Sequence, residues 1–120
     1  MTVSPLVATA LVGVGGALGA ASRHWVGLRT EGRRSILLVN ALGSLALGAV
    51  SAAPIGSTAA LGLGVGFCGA FTTFSSFAVE TVRAASETGN RAAAVVAASN
   101  IAVALVAFLL GSLLVTGVFG

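Results

Sequence analysis

The sequence contains no lysine, no aspartate and no tyrosine, and its only cysteine is Cys68. Nine of its 120 residues are charged, three Glu and six Arg, which is 8% of the chain. An average soluble domain carries about 25%. So few charges cannot cover a water-soluble globule of this size. With 57% hydrophobic residues and a mean hydropathy of +1.07, the chain reads as one dissolved in lipid. A lone cysteine excludes an internal disulfide and a multi-cysteine metal site. His24 is the only histidine and lacks the partners a metal centre needs, so it reads as a surface or interface residue. No Ser, Cys or His has an evident partner base, and an enzyme is not expected.

What is abundant is apolar sequence and glycine. A spanning helix needs about 20 mostly apolar residues. Four stretches qualify, at 3–26, 35–53, 59–79 and 92–118. They predict one all-α transmembrane domain over 1–120, with no soluble appendage and no cleaved leader, since the first five residues carry no base. Pro5 suits a first helical turn. Glycine supplies 17 residues without a collagen-type repeat. Gly15 with Gly19, Gly16 with Ala20, and Gly62 with Gly66 have the spacing that lets membrane helices approach closely. This abundance of small faces points to an assembly larger than a monomer.

The basic residues lie in or beside two of the three connections. Arg29, Arg33 and Arg34 fall in 27–34, Arg83 and Arg91 in 80–91, and Arg23 near the end of the first span. The connection 54–58 and both termini have none. Connections one and three share a membrane face, so the bias puts them in the cytoplasm and both termini outside. The excess of Arg thus reports orientation in the cell membrane, with lipid and no nucleic acid as the surroundings. Glu80, Arg83, Glu87 and Arg91 have the spacing of a ladder of pairs on a solvated helix extension.

The unusual stretch is Gly66-Phe67-Cys68-Gly69-Ala70-Phe71-Thr72-Thr73-Phe74-Ser75-Ser76-Phe77, inside the third span. Its hydroxyls can bond back to their own helix, which makes a tolerated cluster one reading. The other is a break: glycines followed by paired Thr weaken the helix, and non-helical backbone at membrane depth survives only when buried or lining a polar cavity. Carbonyls freed by such a break attract cations, and amide ends attract anions. Phe74 and Phe77 share a helix face, and their ring edges carry partial positive charge. With Ser75 and Ser76 they could line the path of a small dehydrated anion. Asn40, in the second span, and Asn100, in the fourth, need partners in lipid, as structural glue or as pathway lining. Arg23 either snorkels to the surface or draws anions to a vestibule. Trp25 at a span end reads as an interfacial anchor, and Cys68 as a small buried apolar residue.

These residues resemble the CrcB (Fluc) family of small fluoride channels over nearly the whole chain. The similarity begins at Gly15-Gly16-Ala17-Leu18-Gly19-Ala20-Ala21-Ser22-Arg23 and continues at Val39-Asn40-Ala41-Leu42-Gly43-Ser44. It is most specific at 66–77. The resemblance implies an antiparallel dimer with two fluoride pathways, a broken third helix and a structural sodium ion at the dimer centre. Carried onto this chain, it gives the sodium-binding carbonyls to Gly69 and Thr72. It gives the pathway to Phe74, Phe77, Ser75, Ser76 and Asn40, and the vestibule to Arg23. Two departures stand out. Ala70 replaces a family glycine, and the tyrosine often found early in the fourth helix is absent; its position falls at Val96, with Asn100 one turn later. The charge bias also differs from that of a chain inserting both ways, and leads us to expect a heterodimer with an oppositely oriented relative. Among rival functions, a small multidrug or proton-coupled transporter would want an acid within a span, and Glu31 and Glu80 lie outside or at a span end. A noncatalytic assembly subunit would not account for the hydroxyls beside Phe74 and Phe77.

Overall fold

The computed structural model describes residues 3–120, and these form an all-helical bundle. Helix α1 is Pro5–Arg29, opened by Ser4, whose hydroxyl accepts from the Val7 N–H. Helix α2 is Gly32–Ala52. It stops before Pro54, which holds Ala53 extended (φ −73°, ψ 141°). The third span, Ser57–Glu87, is composite. It consists of α3 (Ser57–Ala60), a π-helical segment (Leu61–Cys68), the single turn α4 (Gly69–Phe71), and α5 (Phe74–Glu87). Helix α6, Asn90–Phe119, follows a reversal at Gly89, whose φ of +125° suits glycine. Four helices are thus long and apolar enough to cross a membrane, and the chain is a multi-pass membrane protein.

Two glycine seams hold the bundle. Along the first, α1 lies on the π-helical segment. A Cβ on Gly15 would strike the Gly62 carbonyl oxygen, and one on Gly19 would strike the Phe67 carbonyl. A Cβ on Gly66 would sit 2.9 Å from the Val12 oxygen and 3.1 Å from the Gly15 Cα. Along the second, α2 lies on α6, where Gly48 meets the Phe108 backbone and Gly111 meets that of Leu45 and Ala49. Backbone-to-backbone contact of this kind supplies the dispersion that lipid, as apolar as the helices, cannot supply by exclusion. The buried apolar cluster is small: Val26, Val39 and Phe71, with Phe67 packed on it. Large side chains such as Leu6, Leu18, Leu105 and Leu114 face outward, as suits a hydrocarbon solvent.

The third span runs on as helix through Glu87, so residues 80–87 are the helix extension expected from the sequence, and only Thr88 and Gly89 link α5 to α6. This corrects the expected ladder. Glu80 pairs with Arg83 at 3.6 Å, but Glu87 and Arg91 lie on different helices, and neither forms an ion pair among the described residues. Glu80 instead reaches Arg33 Nε at 2.9 Å. That contact ties the first turn of α2 to α5 at one end of the bundle. At the same end Arg29 lies 4.7 Å over the Trp25 ring, a cation–π contact.

Candidate functional site

Between α4 and α5 two residues leave the helix. Thr72 (φ −78°, ψ 163°) and Thr73 (φ −144°, ψ 118°) are extended. The turn before them is closed by Cys68, whose carbonyl accepts from the Thr72 N–H at 3.1 Å and from the Thr72 hydroxyl at 2.9 Å. Thr73 then departs, and its backbone groups must find partners away from water.

Asn40 provides both. The Thr73 N–H donates to Asn40 Oδ1 at 2.8 Å, and Asn40 Nδ2 donates to the Thr73 carbonyl at 3.1 Å. Asn40 Nδ2 also donates to Asn100 Oδ1 at 3.0 Å. All three residues are buried. The Thr73 hydroxyl accepts from the Ser76 N–H at 3.2 Å and caps α5. In an uninterrupted helix the Thr73 N–H would close on the Gly69 carbonyl. Because it goes to Asn40, the Gly69 oxygen loses that donor. Gly69 itself is helical (φ −60°) and exposed, with only the Gly64 oxygen, at 4.0 Å, near a would-be Cβ. Neither backbone conformation nor crowding within this chain requires a glycine there.

Thr73 stands between two cavities. On one side, a groove of about 420 Å³ is lined by Asn40, Asn100, Gly69, Thr72, Phe74 and Phe77, with apolar residues of α6. The Phe74 and Phe77 rings are tilted by 50° with centroids 5.8 Å apart, and Phe74 is 80% exposed. On the other side, a cavity of about 370 Å³ is lined by Arg23, His24, Ser35, Thr73 and Ser76, among others. Ser75 is exposed, lines neither cavity and lies 3.5 Å, hydroxyl to hydroxyl, from Thr73. Arg23 neither simply snorkels nor stands free: its Nη1 donates to the Thr72 carbonyl at 3.3 Å.

The residues singled out in the sequence therefore separate. Asn40, Asn100, Gly69, Thr72, Phe74 and Phe77 share the groove, whereas Arg23 and Ser76 share the opposite cavity. For Asn40 the alternatives of glue and lining merge, because it pins Thr73 and also borders the groove. Thr73 is the residue that sequence reasoning passed over. Its signal was the Thr73-to-Ser76 spacing, that of a helix cap. The π-helical stretch, marked only by alternate glycines at Gly62, Gly64 and Gly66, was also passed over.

Residues 10–112 match the family described as CrcB-like protein, Camphor Resistance (CrcB). The chain is 51% identical over 108 residues to the fluoride-specific ion channel FluC 2 of Natronomonas pharaonis, covering 88% of this chain and 92% of that one. It is 50% identical over 99 residues to the FluC 2 protein of Haloarcula marismortui, covering 80% and 83%. A second protein of that organism, fluoride-specific ion channel FluC 1, is 44% identical over 77 residues, covering 60% and 61%. A match over residues 10–112 reaches into all four membrane-spanning helices and covers the whole third span, and the chain belongs to the CrcB family.

Proposed function

We propose that this chain is the subunit of a fluoride-selective channel through which toxic cytoplasmic fluoride leaves the cell passively. The observation that carries the reading is the extended pair Thr72–Thr73 within a span, held by Asn40 and followed by the Phe74–Phe77 pair in an open groove. Relatives at about half identity bear the name of fluoride-specific channels. The path would use amide and hydroxyl donors and the positive edges of Phe74 and Phe77 rather than a buried fixed charge. Ser75 and Ser76 lie at the start of α5 beside this pair, and Arg23 would gather anions at the vestibule on the far side of Thr73.

The exposed groove supports assembly as an antiparallel dimer, since a second copy or relative would cover Phe74 and Gly69. A sodium ion at the dimer centre fits the donor set. Gly69 and Thr72 offer carbonyl oxygens, the ligands of hard cations, and the Gly69 oxygen has lost its helical donor. The Thr72 oxygen is already shared with Arg23, so two carbonyls from one chain would need two more from a partner. In this reading the interruption is the functional break of the third helix, and residues 1–120 act as one channel domain with both termini outside. The six-to-none Arg bias favours one insertion direction, so the partner would be a paralogous chain of opposite orientation. The presence of both FluC 1 and FluC 2 proteins in Haloarcula marismortui and in Rhodococcus jostii supports such pairing.

The test is fluoride efflux from liposomes, read with a fluoride electrode, for the purified chain alone and with a paralogue. Efflux well above empty liposomes, with chloride retained, is expected. No efflux in either preparation would overturn the channel reading. Robust efflux from the chain alone would overturn the heterodimer.

A further inference from the structure

The arginines at the charged end of the bundle differ in what holds them. Arg23 donates to the Thr72 carbonyl, Arg33 to Glu80, and Arg83 also reaches Glu80. Arg29 has no carboxylate or carbonyl acceptor among the described residues, and Glu31, two positions on, does not pair with it. It is held instead over the Trp25 ring, 4.7 Å from the centroid. A guanidinium held by a ring face still has N–H groups to donate. One turn inward, the same stripe of α1 borders a cavity of about 540 Å³, lined by Ala21, Ser22, Trp25, Val26 and Phe71. The Ser22 hydroxyl donates to the Leu18 carbonyl of its own helix at 2.8 Å, so the lining is mainly apolar. From Ala21 to Arg29 the helix rises about 12 Å. A hydrocarbon groove thus runs up to a fixed, unpaired cation.

We propose that this groove and Arg29 form a binding site for an anionic phospholipid, its phosphate on the guanidinium and an acyl chain along Ala21, Trp25 and Phe71. The site is separate from the groove of Phe74 and Phe77, and it requires only that the chain spans a membrane. An acyl chain gains little by entering, because the surrounding lipid is equally apolar. Preference must come from the headgroup, and a planar N–H fork matches a phosphate with two parallel bonds. A zwitterionic lipid also has a phosphate, but its own ammonium offsets the charge that Arg29 meets. A second copy does not supply the missing anion. All three acidic residues, Glu31, Glu80 and Glu87, lie at the end that holds Arg29, and an antiparallel copy would bring its other, acid-free end to this level. With this end in the cytoplasm, Arg29 meets the leaflet whose anionic lipids set a negative surface potential.

Trp25 is the only tryptophan, so its fluorescence reports the groove directly. The test reconstitutes the purified chain in vesicles of phosphatidylcholine and phosphatidylglycerol, with bromine on the acyl chains of one lipid or the other. Bromine quenches an indole only at close range, so the two quenching curves give the relative occupancy of the groove. Phosphatidylglycerol is expected to be favoured about fivefold, the worth of one arginine beside anionic lipid. Arg29→Gln, at an exposed position, should abolish the preference. Arg34→Gln, which removes an exposed charge at the same end, should leave it unchanged. Equal quenching by the two lipids in wild type, or a preference that survives Arg29→Gln, overturns the inference. So does an equal loss in Arg34→Gln, which would mean diffuse attraction to the charged end. Quenching by neither lipid would mean that protein, such as a second copy, covers Trp25, and would also overturn it. Fluoride flux enters none of these outcomes, so the lipid site and the channel reading fail separately.

Discussion

The two halves of the third span are held in different ways. The π-helical segment Leu61–Cys68 lies against α1 by bare backbone contact at Gly15, Gly19, Gly62 and Gly66. Phe74–Glu87 has no such seam. It is held at its start by Asn40 and the Thr73 cap, and at its charged end by Arg33. The first half is fixed by close backbone approach, which leaves no room for an added atom at Gly66 or at Gly15 and Gly19 on α1. The second packs on α6, with Ala84 fully buried, and adds polar bonds at its two ends, while Phe74 stays exposed in the groove. A span that must pack tightly and also offer an open face does both by changing its mode of attachment at Thr72–Thr73.

The largest effect should come from cutting the polar attachment at the junction. Asn40→Leu leaves the Thr73 N–H and carbonyl without partners in a lipid-surrounded bundle, at several kcal/mol for each unsatisfied group. Loss of a monodisperse peak in detergent and of fluoride efflux is expected, whereas Asn40→Asp, which keeps an acceptor for the Thr73 N–H, should retain more of both. A Leu variant as stable as wild type would remove Asn40 from its place in the comparison.

The shape-fixed half is next. Gly66→Val forces side-chain atoms into the Val12 and Gly15 backbone, and overpacking of this kind costs about 1–3 kcal/mol. A lower thermal midpoint in detergent is expected. Gly13→Ala, with nothing within 4 Å of the added Cβ, should leave the midpoint unchanged. Equal midpoints for the two variants would mean that the seam is not tight.

Phe74→Ile and Phe77→Ile probe the open face. Both keep bulk and remove the ring quadrupole, so fluoride flux should fall while the thermal midpoint moves little, Phe74 being mostly exposed within the chain. Unchanged flux in both variants would count against an aromatic-lined path. The smallest effect is expected at the charged end. Glu80→Gln removes the pairs to Arg33 and Arg83, but the Arg partners are half exposed, and such pairs are worth about 1 kcal/mol or less. A midpoint shift of a few degrees or none is expected, and a collapse of assembly would show that this bridge anchors α5.

The four apolar stretches of the sequence are the four spanning helices, because hydropathy over about 20 residues is a local property that a bilayer reads directly. The glycine pairs of α1 and of the third span were legible from their spacing, and the structure brings them together. The other seam was passed over: Gly48 and Gly111 have only Ser44, Ala52 and Ala107 at the four-residue spacing, with no second glycine, and they oppose larger residues. The helix extension through Glu87 was legible, since Glu and Arg are good helix formers, but its end was not: the chain turns where Gly89 takes a positive φ, so Arg91 falls on the next helix.

At the candidate site, the sequence by itself determined which residues are out of place in lipid: Asn40, Asn100, Arg23 and the hydroxyl-rich stretch ending at Phe77. It could do so because the cost of a polar group in hydrocarbon is set by composition alone. Only the tertiary structure decided what those residues do for one another. Asn40 finds Thr73 across 33 positions and Asn100 across 60, Arg23 finds the Thr72 carbonyl across 49, and Ser76 turns to a different cavity from Phe77. Hydrogen bonds need atoms within about 3 Å in a fixed direction, and that condition is met only when separate helices are docked.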